Sequence, residues 1–389
     1  MTSPRGLAGT LTVTMGISTF MQYALGALGP FIADDLDISR ARLGLLTTLL
    51  FAVGAALSPA GGPLVDRLGG RRSLTALCVV SGTSALLSAA APTYLLLGLA
   101  VALAGIGLAL GNLGTNKLLA QHVAPARQGV VSGIKQSGVQ VGALVAGALL
   151  PAVAAAAGWR TAMALSAAVA LGGLVAVITF VPRHAAEPRA SRPDKATTRL
   201  GPSVNRLALY ALLMGVGAGA ASAHLPLYAA ERLGLAKSVA GLVASEIGLT
   251  GIIGRLLLGR VADRTRTPVT VLLGWLAVAA IVATAMLLLA DAHSVWLLWT
   301  GGAAFGASAI AWNGVGMLSV IRAVDPTMAG RASGRVLLGF FTGFVISPVA
   351  FGWSVDVTGS YTPGWLAVCV SFALAAVVAA TWHRTLQAT

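Results

Sequence analysis

Apolar residues along this 389-residue chain gather into twelve blocks. They lie at about 8–32, 42–65, 73–91, 94–119, 130–154 and 159–181, then 206–228, 239–262, 268–290, 295–320, 335–354 and 364–382. Each is bounded by charge, Pro or Gly, and each is close to the roughly 20 residues that a helix needs to cross the hydrocarbon of a bilayer. Between the sixth and seventh blocks, Arg183, Arg189, Arg192, Lys195 and Arg199 stand among Pro, Ala and Thr. Such a stretch buries no core and reads as a linker. The pattern predicts an all-α membrane protein with twelve transmembrane helices: residues 1–182 as one six-helix bundle, 183–205 as a cytosolic linker and 206–389 as a second six-helix bundle.

The halves also repeat. Gly105 and Gly306, Asn112 and Asn313, Ser132-Gly133 and Ser333-Gly334, Gly138 and Gly339, and Gly142 and Gly343 each stand 201 residues apart. Gapless agreement of this kind implies duplicated halves, pseudo-symmetric about an axis normal to the membrane. With 57% of residues apolar, 10% charged and a mean hydropathy of +0.85, little chain is left for a water-soluble domain, so function has to reside in the bundle.

A net charge of +14 would suit nucleic acid, but the basic residues sit at the ends of apolar blocks and form no stripe with interleaved aromatics. They read as topology signals. With the N-terminus in the cytosol, 17 Lys and Arg fall in cytosolic segments and five outside (Arg40, Arg42, Arg160, Arg232 and Lys237), as the positive-inside rule requires. Asp34, Asp35 and Asp37 then lie in the first outer loop. The first apolar block is too long for a signal-peptide core and is read as a retained helix. The absence of an Asn-x-Ser/Thr sequon fits a bacterial cytoplasmic membrane. The expected protein is a monomeric, multi-pass cell-membrane protein with both termini cytoplasmic. Cys78 and Cys369 lie singly inside apolar blocks, without metal-ligand spacing, and read as small core residues.

Between the second and third blocks the chain reads Gly62-Pro63-Leu64-Val65-Asp66-Arg67-Leu68-Gly69-Gly70-Arg71-Arg72, and the second half reads Gly259-Arg260-Val261-Ala262-Asp263-Arg264-Thr265-Arg266. Gly62 lets another helix approach, Gly69 permits a tight turn, and Asp66 can accept from a neighbouring helix N-terminus and from Arg. A purely topogenic basic loop explains the arginines but neither the glycines nor the repeated Asp. The pair closely resembles the signature loop of the major facilitator superfamily (MFS), and the resemblance covers the whole chain. It implies the MFS fold, alternating access, and a cytosolic gate at Gly62, Asp66, Arg67, Gly69, Arg71, Asp263 and Arg264.

Two departures narrow the expectation. Many proton-coupled members carry an Arg in helix 4, where this chain has the apolar run Val101 to Gly107, and antiporters carry Gly-Pro in helix 5, where it has Gly138-Val139. Ser132-Gly133-Ile134-Lys135-Gln136-Ser137-Gly138 instead resembles the cyanate-permease-like branch, whose members are assigned to small anions or neutral polar solutes.

A charge near the bilayer centre costs roughly 2.5–3.5 kcal/mol on insertion scales and normally faces a cavity or a partner. Lys135, Glu246, Arg255 and Arg335 are the charges so placed. Arg255 shares a helix face with Gly241, Ser245, Gly248 and Gly259, a small-residue stripe suited to packing or to water. Its setting resembles the place where oxalate and monocarboxylate carriers of the superfamily hold an Arg for the substrate carboxylate. The same carriers use a basic residue in helix 11, where Arg335 stands. The competing reading pairs Arg255 with the gate carboxylates. Glu246 lies nine residues earlier, on the opposite face, so the two should not pair. As the one carboxylate deep in an apolar block, it is the candidate proton-coupling group, with a structural place in the outer gate as the alternative.

Helices 1, 4, 7 and 10 line the central cavity of the family, which implies solute contacts for Gln22, Tyr23, Asn112 and Asn313. Asn116 reads as a helix–helix hydrogen-bond partner, Lys135 as a side chain snorkelling to the cytosolic interface, with attraction of an anion as the alternative, and Trp312 and His224 as packing residues, a gating role staying open for His224 near the outer end of helix 7.

Enzyme chemistry is not expected. His122, His184, His224, His293 and His383 are scattered, and there is no HExxH, Ser/His pair, Walker loop or nucleotide domain. No metal and no cofactor are implied. The expected function is secondary active transport of a small solute, first a small organic or inorganic anion and otherwise proton-coupled efflux of drug-like or metabolite compounds. The solute, the lipid bilayer and candidate protons are its partners, and nucleic acid is not.

Overall fold

The computed structural model describes residues 4–182, 201–264, 267–316 and 329–387, which are almost wholly helical. The helices are α1 (Pro4–Leu36), α2 (Arg40–Leu68), α3 (Gly70–Ala90), α4 (Tyr94–His122), α5 (Pro125–Ala157), α6 (Trp159–Phe180), α7 (Pro202–Glu231), α8 (Lys237–Arg264), α9 (Val269–His293), α10 (Val295–Phe305, continued by a π-helical turn over Gly306–Ile310), α11 (Ala329–Thr358) and α12 (Thr362–Gln387). Among the described residues twelve stretches are long and apolar enough to span a bilayer. Large apolar side chains such as Leu95, Leu171, Trp275 and Val370 cover the outside of the bundle, as a lipid solvent requires.

Helix ends follow hydrogen bonding more than apolarity, so the helices overrun their apolar blocks. Asp34 and Asp35, expected in a loop, lie in the last turn of α1, and Asp37 turns the chain at φ 45°. Ser39 then caps α2, its hydroxyl accepting from the Arg42 N–H at 3.3 Å. Pro202 starts α7, so the last residues assigned to the linker are helical, consistent with the preference for Pro in a first turn. The tight corner expected at Gly69 is present, with φ 81° between α2 and α3.

Within the halves α1 lies along α5 and α7 along α11; between them α2 lies along α11 and α5 along α8. Three of the repeated glycine pairs, Gly105/Gly306, Gly138/Gly339 and Gly142/Gly343, lie at close crossings, whereas Gly133 and Gly334 meet nothing. A side chain on Gly138 would overlap the Thr12 carbonyl of α1, and one on Gly339 the Ala208 carbonyl of α7. Gly105 and Gly306 match in the same way: a Cβ on either would fall 2.6 Å from a carbonyl oxygen, of Leu50 in α2 and of Ile247 in α8. The 201-residue spacing is therefore the spacing of backbone approaches that both copies of the bundle need.

Candidate functional site

Arg255 reaches from α8 across the seam between the halves into α5. Its Nη1 donates to Gln140 Oε1 at 2.6 Å and to the Gln136 carbonyl at 3.3 Å, and its Nη2 donates to the Ile310 carbonyl at 3.4 Å. Its Nε is buried with no partner. Every acceptor is neutral, and no described carboxylate lies within ion-pair distance, so the pairing with gate carboxylates is not seen among the described residues. The small-residue stripe of α8 is packed. Gly241 meets Pro151, Ser245 donates to the Leu144 carbonyl at 2.8 Å, and a Cβ on Gly248 would come within 3.0 Å of the Gln140 carbonyl.

Ile310 closes the π turn of α10. Such a turn widens the helix by one residue and re-aims its carbonyls, and here one of them faces the guanidinium. The matching stretch of the first half, within α4, stays α-helical. Ile310 and Tyr23 also line a narrow cleft of about 20 Å³ with Ser222, Ile247 and Phe305, and Tyr23 stands within electrostatic range of Arg255. Two residues of this cleft are thus neighbours of the half-buried cation.

At the end of the bundle that carries Asp34, the halves are tied by charge. Asp356, near the end of α11, accepts from the Arg40 and Ala41 backbone N–H groups at 3.0 and 2.8 Å, capping α2 from the other half. The Arg40 side chain pairs with Glu231 at 3.0 Å, and the Tyr361 hydroxyl donates to the same carboxylate at 2.9 Å. Lys237 pairs with Asp34 across the halves, while Arg160 pairs with Asp35 at 2.5 Å within one half. Deeper on the same seam, a side chain on Gly44 of α2 would overlap the Pro348 carbonyl of α11, which also faces His224 Nε2 at 2.7 Å.

This arrangement has counterparts. A bacterial homologue of the human lysosomal transporter Spinster, solved inward-facing and occupied, matches with a TM-score of 0.80 over 99% of this chain and 98% of its own, at 16% identity. That is a likeness of fold. The family model for the Major Facilitator Superfamily matches residues 11–334 and again 207–387. The chain belongs to the Major Facilitator Superfamily. Similar superfamily members include the probable nitrate/nitrite transporter NarK2 of Mycobacterium tuberculosis, 31% identical over 394 residues that span 97% of each chain. The probable sulfoacetate transporter SauU of Cupriavidus necator is 23% identical and covers 91% of this chain and 88% of its own. As a superfamily member with twelve membrane-spanning helices, this multi-pass membrane protein is a solute transporter and not an enzyme.

Of the superfamily's signature loop, the side chains of Gly62, Asp66, Asp263 and Arg264 lie outside the described residues, as do residues 183–200 of the linker and 317–320 of the tenth apolar block. Arg67 is exposed, and Arg71 donates to the Ile178 carbonyl in the last turn of α6 at 2.8 Å, within its own half. Glu246 faces α10, where a Cβ on Gly302 would come within 2.7 Å of its Oε2, an oxygen buried without a partner. It makes no pair with Arg255. Gln22 is buried, Asn112 and Asn313 are half-buried, and Arg335 is exposed in the second turn of α11. Trp312 packs edge-on to Tyr210 at 5.4 Å, and His224 stacks on Phe351 at 5.1 Å.

Lys135 does not snorkel. It is 1% exposed and donates to Thr115 Oγ1 at 2.9 Å and to Asn116 Oδ1, so α4 supplies the acceptors that water would otherwise provide. Asn116 is the helix–helix partner expected of it. Sequence reasoning did not single out Gln140, nor the contacts of Arg40, Glu231, Tyr361 and Asp356. An uncharged amide inside an apolar block was the available signal for the first. For the others it was charge placed at matching ends of α2, α7 and α11.

Proposed function

We propose that this transporter carries a small oxyanion by alternating access, with Arg255 as its anion-binding cation. The observation that carries the reading is a guanidinium held between the halves, among the described residues, by neutral acceptors, its Nε unpartnered. A half-buried cation inside the membrane, with no counter-ion among the described residues, is costly, and an anionic cargo relieves that cost. The names of similar proteins agree, since nitrate, nitrite and sulfoacetate are all oxyanions. The resemblances of Ser132–Gly138 and of the α8 setting to anion carriers belong to the same reading.

In this reading the halves, 1–182 and 206–389, rock about the central site, joined by the linker 183–205. Both termini are cytosolic, so the Asp34 end is the outer gate. The loop residues Gly62, Asp66, Arg67, Gly69, Arg71, Asp263 and Arg264 close the inner one. Tyr23, Gln22, Asn112 and Asn313 offer neutral polar contacts to the solute, Arg335 draws anions toward the mouth, and Glu246 is the group through which protons couple. The monomer suffices.

The test is uptake of nitrate, small monocarboxylates and lipophilic cations into proteoliposomes. A guanidinium offers a planar pair of donors that an ammonium does not reproduce. Arg255→Lys is therefore expected to weaken anion affinity about tenfold and Arg255→Ala about a hundredfold, the scale of one to two charge-assisted hydrogen bonds. Unchanged anion affinity in Arg255→Ala, or a wild-type preference for cations, removes this reading and promotes efflux of drug-like compounds.

A further inference from the structure

We infer that Gln140 is a specificity-determining residue, which holds Arg255 so that the Nε–Nη2 edge of the guanidinium meets the anion. The inference rests on the anion reading above. A guanidinium has five N–H donors in a fixed plane. The two on Nη1 are taken by Gln140 Oε1 and the Gln136 carbonyl, both from α5, and one on Nη2 by the Ile310 carbonyl. Nε keeps its donor without a partner among the described residues, and the neighbouring Nη2 keeps one of its two. The Nε–Nη2 edge matches two oxygens of a planar oxyanion such as nitrate or a carboxylate, which can be bound bidentately.

Gln140 is built to hold its place. It is 2% exposed, and its stem lies over Gly251 of α8, where a Cβ would come within 3.4 Å of Gln140 Cγ and 3.2 Å of Ile310 Cγ2. The amide is also neutral. A carboxylate at the same place would hold the guanidinium equally well but cancel its charge, leaving little to attract a cargo. Neutral acceptors fix the cation's orientation and keep its field. Nε is buried in this conformation, so access to it belongs to another stage of the cycle.

The experiment compares nitrate, planar and bidentate, with bromide, which offers a single centre, by equilibrium binding to the purified full chain. Gln140→Met keeps the length of the side chain and removes the acceptor, so Nη1 is released and the edge is no longer imposed. The nitrate-over-bromide preference of the wild type is then expected to fall by about tenfold, the scale of one charge-assisted hydrogen bond, with bromide affinity nearly unchanged. Gln140→Glu keeps the shape and supplies a counter-charge, so both anions should weaken by at least about tenfold while the melting temperature is maintained. If the preference is unchanged in Gln140→Met, or if nitrate binds Gln140→Glu as it binds the wild type, Gln140 is a packing residue and the inference fails. Should Gln140→Met not fold, the Gln140→Glu result decides alone. Arg255→Ala, measured alongside, separates the two levels: loss of nitrate binding there keeps the anion reading standing even when the Gln140 inference fails, whereas retained binding removes both.

Discussion

Arg255, Lys135 and Glu246 are three ionisable side chains inside membrane-spanning helices, and each solves burial differently. Lys135 is satisfied locally by Thr115 and Asn116 of the neighbouring helix. Arg255 is satisfied across the two halves and keeps an unpartnered donor, and Glu246 keeps an unpartnered oxygen against Gly302. A buried carboxyl oxygen without a donor is a place where a proton can be carried. If Glu246 carries one, Glu246→Gln should abolish accumulation driven by a pH gradient but retain counterflow exchange, which needs no net protonation. Loss of both activities would mark a structural carboxylate. Arg255 and Glu246 were legible in the sequence because a charge in an apolar block is conspicuous. Gln140 was not, since an amide is cheap enough to bury that its presence signals little, and the π turn over Gly306–Ile310 has no residue pattern of its own. That turn meets α8 at Gly306, where a side chain would overlap Thr250 Oγ1, a contact no local pattern announces.

At the Asp34 end of the bundle, proposed above as the outer one, α2 and α11 are joined mainly by a cap. The Arg40 side chain is 41% exposed and its Glu231 partner 29%, so solvent screens that pair and it adds little to closure. The Asp356 carboxylate, by contrast, takes two backbone N–H groups at the start of α2, where the helix dipole also favours negative charge. Closing the gate completes a helix terminus, and opening it exposes unpaired donors. Asp356→Ala should therefore shift the balance toward the outward-open state by about 1 kcal/mol, roughly fivefold in population. Spin-label distances between the outer ends of α2 and α11 would read this shift, and an unchanged distance distribution would show that the cap does not govern the gate. The helices were legible from apolar block length, and their crossings from the repeated glycines. Cross-half contacts such as Arg40 with Asp356 join residues 316 apart in the chain, which periodicity cannot pair.

The whole molecule is two copies of one bundle, and its gates are expected to oppose each other: stabilising one end closed favours opening of the other. If Asp66 belongs to the inner gate, as proposed, Asp66→Asn should leave protein in the membrane but reduce transport at least about tenfold, as loss of a charged contact worth some 1.5–3 kcal/mol would. Near-normal uptake at matched expression would take the gate assignment away from it. The duplication was plain in the sequence, but the departure from it that matters for transport was only partly so. In the register that aligns Gly62 with Gly259, the first-half counterpart of Arg255 is Ser58, so the bundle carries this cation once. That asymmetry has an electrical consequence. In the anion reading, a monovalent anion seated on Arg255 cancels its charge as the halves rock, whereas in the empty carrier the charge of Arg255 returns without it. A full elementary charge crossing the membrane responds to voltage by about 2.3 kcal/mol per 100 mV, and a partial crossing responds in proportion. On that reading the membrane potential acts on the return of the empty site more than on the passage of the cargo.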